Sequence, residues 1–191
     1  MSTNESSAAR ERIIETALDL FYRQGYLATG INQIIAEAKV AKATFYAQFP
    51  SKEDLCIAYL QARHLRWMGW LKDIVEAHPH GQERLLGVFD FLRQWMRNSD
   101  FRGCAFLNIA TEVPTIDSRI RGEVIRHKDA LQWYLMEIIE EIARVKKGEG
   151  LETDKLAGIV YVLVEGAIVA SQNYHETWPI DAAQAAVEEI L

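Results

Sequence analysis

The chain has 191 residues, of which 49% are hydrophobic, 25% charged and 10% aromatic, a composition that can bury a core and excludes a disordered or low-complexity chain. Its 21 Lys+Arg against 27 Asp+Glu give a formal net charge of -6, the wrong sign for a protein that grips nucleic acid over its whole surface. Cut after Lys52, the first part holds 6 Lys+Arg and 5 Asp+Glu and the second holds 15 and 22, so the N-terminal quarter is where an anionic partner would be met.

Cys56 and Cys104 have no CxxC spacing and form no paired framework, so neither a disulfide scaffold nor a zinc site is expected. Met1 to Ala9 is polar, reads as a frayed end and lacks the apolar core of a signal peptide. The most apolar window, Leu156 to Ala170, is interrupted by Glu165 and is shorter than the roughly 20 residues of a membrane span. These features predict a soluble cytoplasmic protein without membrane contact, cofactor or metal.

Apolar residues recur at helical spacing along the whole chain and no stretch alternates with period 2, so the fold class is all-α. Ile13, Ile14, Ala17, Leu18 and Phe21 form the stripe of a first helix from about Ala8 to Gln24, ended by Gly25 in a left-handed conformation. Ile31, Ile34, Ile35 and Ala38 mark a second, two-turn helix with Thr29 as its expected cap. After a three-residue break, Lys39 to Ala41, a third short helix runs from Lys42 to Gln48 and turns Phe45 inward. Ser51 to Asp54 reads as a capping box that opens a long fourth helix reaching about Ala77, where His78-Pro79-His80-Gly81 breaks it. The two histidines are read as solvated, not as metal ligands. Further helices are expected at about Gln82 to Asn98, Gly103 to Val113, Ile116 to Lys147, Thr153 to Tyr174 and Ile180 to Ile190.

Two short helices joined by a tight break and propped by a longer one match a helix-turn-helix unit, which lays its second helix in a major groove. No acid occurs from Ala38 to Lys52. Lys42 and Lys52 are candidates for phosphates, and Thr44, Tyr46 and Gln48 for phosphate oxygens or base edges. Gln48 suits an adenine edge, and the methyls of Ala43 and Thr44 suit a thymine methyl. The plainer alternative is that Tyr46 merely packs.

The segments Thr29-Gly30-Ile31-Asn32-Gln33-Ile34-Ile35-Ala36, Val40-Ala41-Lys42-Ala43-Thr44-Phe45-Tyr46-Ala47-Gln48-Phe49 and Pro50-Ser51-Lys52-Glu53-Asp54-Leu55 resemble the TetR family of transcriptional repressors over about residues 8 to 56. The resemblance implies a helix-turn-helix DNA-binding domain at 1–50 and a helical ligand-binding and dimerisation domain at 51–191. It places Thr29, Lys42, Ala43, Thr44, Tyr46, Gln48 and Lys52 where family members touch DNA, and Ile34, Val40, Phe45 and Phe49 in the small core. Lys39 departs from a turn glycine, Ala41 from a capping serine, and Gln48 from an aromatic or histidine. The implied partners are a double-stranded DNA operator, a second copy of the chain and a small-molecule effector that releases DNA through the fourth helix.

In the larger body, Leu156 to Ala170 is apolar around nearly its full circumference and must be covered on more than one side. Either it is the central helix of a monomer or a partner subunit covers it, as the family resemblance favours. Gly158, Gly166, Ala167, Ala170, Ala183 and Val187 are the candidate interface residues. Trp67, Trp70, Phe89, Trp133 and Tyr161, with Trp95, Phe106 and Tyr134, are enough aromatics to line a cavity or simply to form core. Cys104, Asn108 and Glu112 share one stripe of a short apolar helix, and Glu165 stands alone in its apolar stretch. Buried polar groups need partners, so these are either ligand contacts or structural pairs, with Arg63, Arg66, Arg126 and His127 as possible mates.

Two other function classes compete. A small helical enzyme would need a nucleophile beside a base, and no GxSxG, HExxH or phosphate-cradling glycine loop is present. An all-helical adaptor binding another protein would not need the acid-free stretch from Ala38 to Lys52.

Overall fold

The computed structural model describes residues 3–116, 118–145 and 152–191. Among these it contains helices and no strand, in the order α1 (Thr3–Gln24), α2 (Ile31–Glu37), α3 (Lys42–Gln48), α4 (Lys52–Val75), α5 (Gln82–Asn98), α6 (Ala105–Glu112), α7 (Arg119–Val145), α8 (Thr153–Tyr174) and α9 (Trp178–Ile190). The all-α fold class is as the periodicity predicts. α1 starts five residues before the expected Ala8, so the chain is helical from Thr3. α6 is shorter than expected because Gly103 takes φ +75, where an added Cβ would collide with the Gln172 side chain. The expected last residues of the seventh helix, Lys146 and Lys147, lie outside the described residues.

Contacts divide the chain into two units, residues 1–65 with 105–125, and residues 66–104 with 126–191. The first unit keeps the start of α4 and takes in α6 and the first turns of α7.

In the first unit, α1 presents Ile13, Ala17, Leu20 and Phe21 to a core shared with Ile34, Phe45, Phe49, Leu55 and Tyr59, all at most 2% exposed. Phe21 packs edge-on to Tyr26 and to Tyr59. Gly25, at φ +94, ends α1 and gives its amide to Phe21 O at 3.1 Å. Neither α2 nor α3 is long enough to hold itself together, so both depend on this core. α2 ends in a Schellman turn: Lys39 sits at φ +53, and Val40 N–H reaches back to Ile35 O at 3.2 Å.

In the second unit, α8 packs along α9, and both contact α5. Val160, Val164, Ala167, Ile168 and Ser171 are buried on one face of α8, opposite Pro179, Ile180, Ala183 and Val187 of α9. Arg93 of α5 clamps α9 by pairing with Asp181 at 2.7 Å and donating to Gln184. α8, at 22 residues, is longer than the apolar window and is the one helix among the described residues long and apolar enough to cross a membrane. Its Glu165, however, is held by a bidentate pair with Lys128 of α7 at 2.7 and 2.8 Å.

Candidate nucleic-acid interface and effector cleft

α3 has its predicted bounds, and Phe45 is its buried residue. Lys42, Ala43 and Tyr46 are exposed and Thr44 is half-exposed, so one outward face carries a cation, two methyl groups, a hydroxyl and a phenol. Tyr46 lies edge-on to Phe45 at 5.3 Å between centroids while remaining 41% exposed, so it is available to a partner. Gln48 is half-buried and donates through Nε2 to Ser6 Oγ at 2.7 Å, which fixes its amide against the start of α1. A cleft of about 390 Å³ opens beside Thr44, bounded by Ala8, Arg12, Lys39 and Ala41. Arg12 and Lys39 are exposed basic residues that were not among the expected DNA contacts. Only the three-dimensional approach of α1 to the turn brings them to this face.

One expected DNA contact, Thr29, is placed otherwise, and a second, Lys52, is partly packed against its own unit. Thr29 is fully buried, and its Oγ1 donates to Gly25 O at 2.7 Å, so it closes the α1–α2 turn and neither caps α2 nor faces a duplex. The N-cap of α2 is Gly30, without a side-chain bond. Lys52 is half-buried, with Nζ 4.5 Å from the Tyr26 ring centroid and 3.5 Å from Leu27 O. Burial holds its ammonium below the usual lysine value. The same packing pushes the Tyr26 hydroxyl up to about 12, chiefly by burial and then by Cys56 and nearby carboxylates. It also drives the buried Cys56 thiol upward.

The capping box is half as expected. Ser51 Oγ accepts the Asp54 amide at 3.1 Å, but the Asp54 carboxylate returns to the Ser51 hydroxyl at 2.6 Å and pairs with Arg119 at 2.9 Å. These hydrogen bonds, the Ser51 hydroxyl first, hold the Asp54 carboxyl below its usual range.

The residues expected to line one ligand cavity separate into different environments. Phe89 is fully buried core, whereas Trp133 is 70% exposed. Glu112 accepts the Leu27 amide at 2.6 Å in the first unit, and Asn108 lies on the same helix, α6. Glu165 is taken by Lys128, a partner outside the four suggested by sequence. Of those four, Arg63 instead lies over the Tyr22 ring at 4.0 Å and His127 packs edge-on to Trp67. Lys128 also donates to Cys104 Sγ at 3.4 Å. Burial alone would depress its ammonium, but Cys104, Glu165 and Tyr161 outweigh that and hold it above the usual value.

A separate cleft of about 410 Å³ lies between α4 and α5, lined by Trp70, Asp73, Ile74, Phe91, Gln94, Trp95 and Asn98. Of the aromatics expected to line a cavity, Trp70 and Trp95 are in its lining. Trp95 stacks on Phe91 and meets Trp67 edge-on, and its buried indole N–H lacks a hydrogen-bond partner.

The expected interface residues also need sorting. Ala167, Ala183 and Val187 are buried within the chain, where α8 meets α9, so they serve the chain's own packing first. The exposed strip of α8 is carried by Ile159, Val162, Gly166 and Val169, with Ala170 and Gly158 half-exposed beside it. A groove of about 280 Å³ runs between this strip and α9, with Ala167 and Ala183 in its floor.

Residues 13–59 match the bacterial regulatory proteins of the tetR family, and residues 81–187 match the tetracyclin repressor-like C-terminal domain. The chain belongs to the TetR family. It is 50% identical over 180 residues to the uncharacterized HTH-type transcriptional regulator YxaF of Bacillus subtilis, covering 90% of this chain and 89% of that one. The HTH-type transcriptional repressor DhaR of a Mycobacterium species is 26% identical over 186 residues, covering 95% and 91%. A solved TetR-family regulator from Streptomyces coelicolor superposes with a TM-score of 0.85 at 27% identity, covering 96% and 94%. This TetR-family chain is accordingly a DNA-binding transcriptional regulator.

Proposed function

We propose that the chain is a soluble cytoplasmic repressor that binds an inverted-repeat operator as a homodimer and is released by a small-molecule effector. The observation that carries the DNA part is the outward face of α3, where Lys42, Ala43, Thr44 and Tyr46 stand free of any acid while Phe45 anchors the helix from behind. Its relative DhaR carries the name of a repressor, which supports the sign of regulation. Two-fold symmetry would set the two recognition helices about 34–36 Å apart, on successive major grooves of one duplex face.

The α4–α5 cleft is the better candidate for the effector than the residues grouped by sequence. It combines three aromatic side chains with the polar ends of Asp73, Gln94 and Asn98, the mixture that orients a small molecule in an apolar pocket.

The test is gel retardation on duplex DNA flanking the chain's own coding region. The native protein should retard it, more weakly as salt rises, and Lys42→Ala with Tyr46→Ala should abolish retardation. Retardation unaffected by both changes would refute the assignment of α3. For the effector, compounds that release the duplex should also quench tryptophan fluorescence, and Trp70→Ala should remove the release.

A further inference from the structure

Glu112 lies on α6, 85 positions from Leu27, yet its carboxylate is built into the turn between α1 and α2. Oε2 takes the Leu27 amide, and Oε1 stands 3.0 Å from where a Cβ on Gly25 would be. The positive φ of Gly25 and the closeness of this carboxylate both call for glycine at that position. A backbone amide that has left a helix has no partner of its own, and a carboxylate offers it a charge-assisted bond. On its other side, the Leu27 carbonyl receives Lys52 of α4. One residue of this turn is therefore gripped by α6 through its N–H and by α4 through its C=O. Three residues further on, Gly30 begins α2.

The first turns of α7, which lie with α6 in residues 105–125 of the first unit, are fastened to α4 through Arg119 to Asp54 at 2.9 Å and Gln61 to Glu123 at 2.9 Å. The chain enters this stretch from the second unit at Cys104 and returns to it along the unbroken α7. α6 thus belongs to the DNA-binding unit while both of its chain connections lead to the other unit.

We propose that Glu112 is a positioning residue for DNA binding, which ties the α1–α2 turn to α6, so that the α2–α3 pair follows the position of α6 as well as that of α4. This deepens the regulation proposed above and rests on it only in that the α2–α3 pair binds duplex DNA.

Hydrogen exchange on the full-length protein, with and without saturating duplex from its own flanking region, tests this directly. In the native protein, duplex should slow exchange at α3, at residues 25–30 and also at α6, by about fivefold or more in a coupled segment. Glu112→Ala should bind the duplex more weakly and, when saturated, keep the slowing at α3 while losing it at α6. Glu112→Gln, whose amide oxygen still accepts the Leu27 N–H, should restore the slowing at α6. A merely structural Glu112 would lower stability without uncoupling α6 from DNA. Native protein that slows at α3 and not at α6 overturns the proposal without any variant. So does a folded Glu112→Ala that keeps native slowing at α6. Native protein that binds no duplex overturns this proposal together with the one it rests on.

Discussion

At Lys39 and Ala41, where the resemblance leads one to expect a turn glycine and a capping serine, the structure shows a physical consequence. Lys39 holds φ +53, a left-handed conformation that is unfavourable to any residue with a Cβ by roughly 1–2 kcal/mol. Lys39→Gly relieves that strain but gives the unfolded chain more freedom, so the net gain should be under about 1 kcal/mol, read as a small rise in the urea midpoint. Lys39→Ala keeps the Cβ and should give no such gain. Ala41 stands at the N-cap of α3 with φ -70 and ψ 148 and makes no side-chain bond to the free amides. Ala41→Ser should supply that bond, adding about 1 kcal/mol and raising the melting temperature by about 2–4 °C. An unchanged melting temperature would mean that the first turn of α3 is already satisfied.

At the scale of elements, the bounds of α3, α5 and α8 follow from the sequence, because their apolar stripes and the breaks around them are local signals. The outward face of α3 is legible for the same reason: a seven-residue helix with one buried aromatic leaves little choice of orientation. The burial of Thr29, the packing of Lys52 on Tyr26 and the Leu27 partner of Glu112 are not legible in the sequence because they are set by tertiary packing, in the case of Glu112 by a residue on the far side of four helices in sequence. The polar residues of the α4–α5 cleft were missed because Asp73, Gln94 and Asn98 look like ordinary solvated positions until α5 lies beside α4. The Lys128–Glu165 pair is similar, since nothing in α8 alone names its partner. Both side chains are under a fifth exposed, so Glu165→Leu would strand a mostly buried ammonium and should cost about 3 kcal/mol, whereas Lys128→Met with Glu165→Leu should cost much less. Denaturant titration of the single and double variants checks this. Because the folded Lys128 value is raised, its contribution is complete below the unfolded value near about 10.4 and disappears as pH climbs through the folded one. The stability gap between native protein and Lys128→Met should therefore be flat across neutral pH and narrow only in strong alkali.

For the whole molecule, the decisive quantity is how much one helix-turn-helix can do alone. The first 52 residues carry only one net positive charge, so a single copy has few phosphates to neutralise and little sequence to read. Two copies on one duplex convert the second contact into an intramolecular one, which raises apparent affinity by roughly 10²–10⁴ without any new bond to DNA. The surface suited to joining them is the α8 strip, where Val162 is 67% exposed, Val169 43% and Ile159 42%, a run of aliphatic side chains that water does not favour. Gly166 lies between Val162 and Val169 on this strip and lets a second helix approach closely. Val162→Arg places a charge in the middle of that contact while touching none of the chain's own core. The variant should keep native helix content by circular dichroism, run as a monomer in light scattering at micromolar concentration, and lose most of its retardation of the duplex. Its residual binding should also show a shallower dependence on salt than the native protein, since half the phosphate contacts are gone. A Val162→Arg protein that stays dimeric and binds DNA as before would show that the copies join through some other face, and the spacing expected between half-sites would have to be drawn from that face instead.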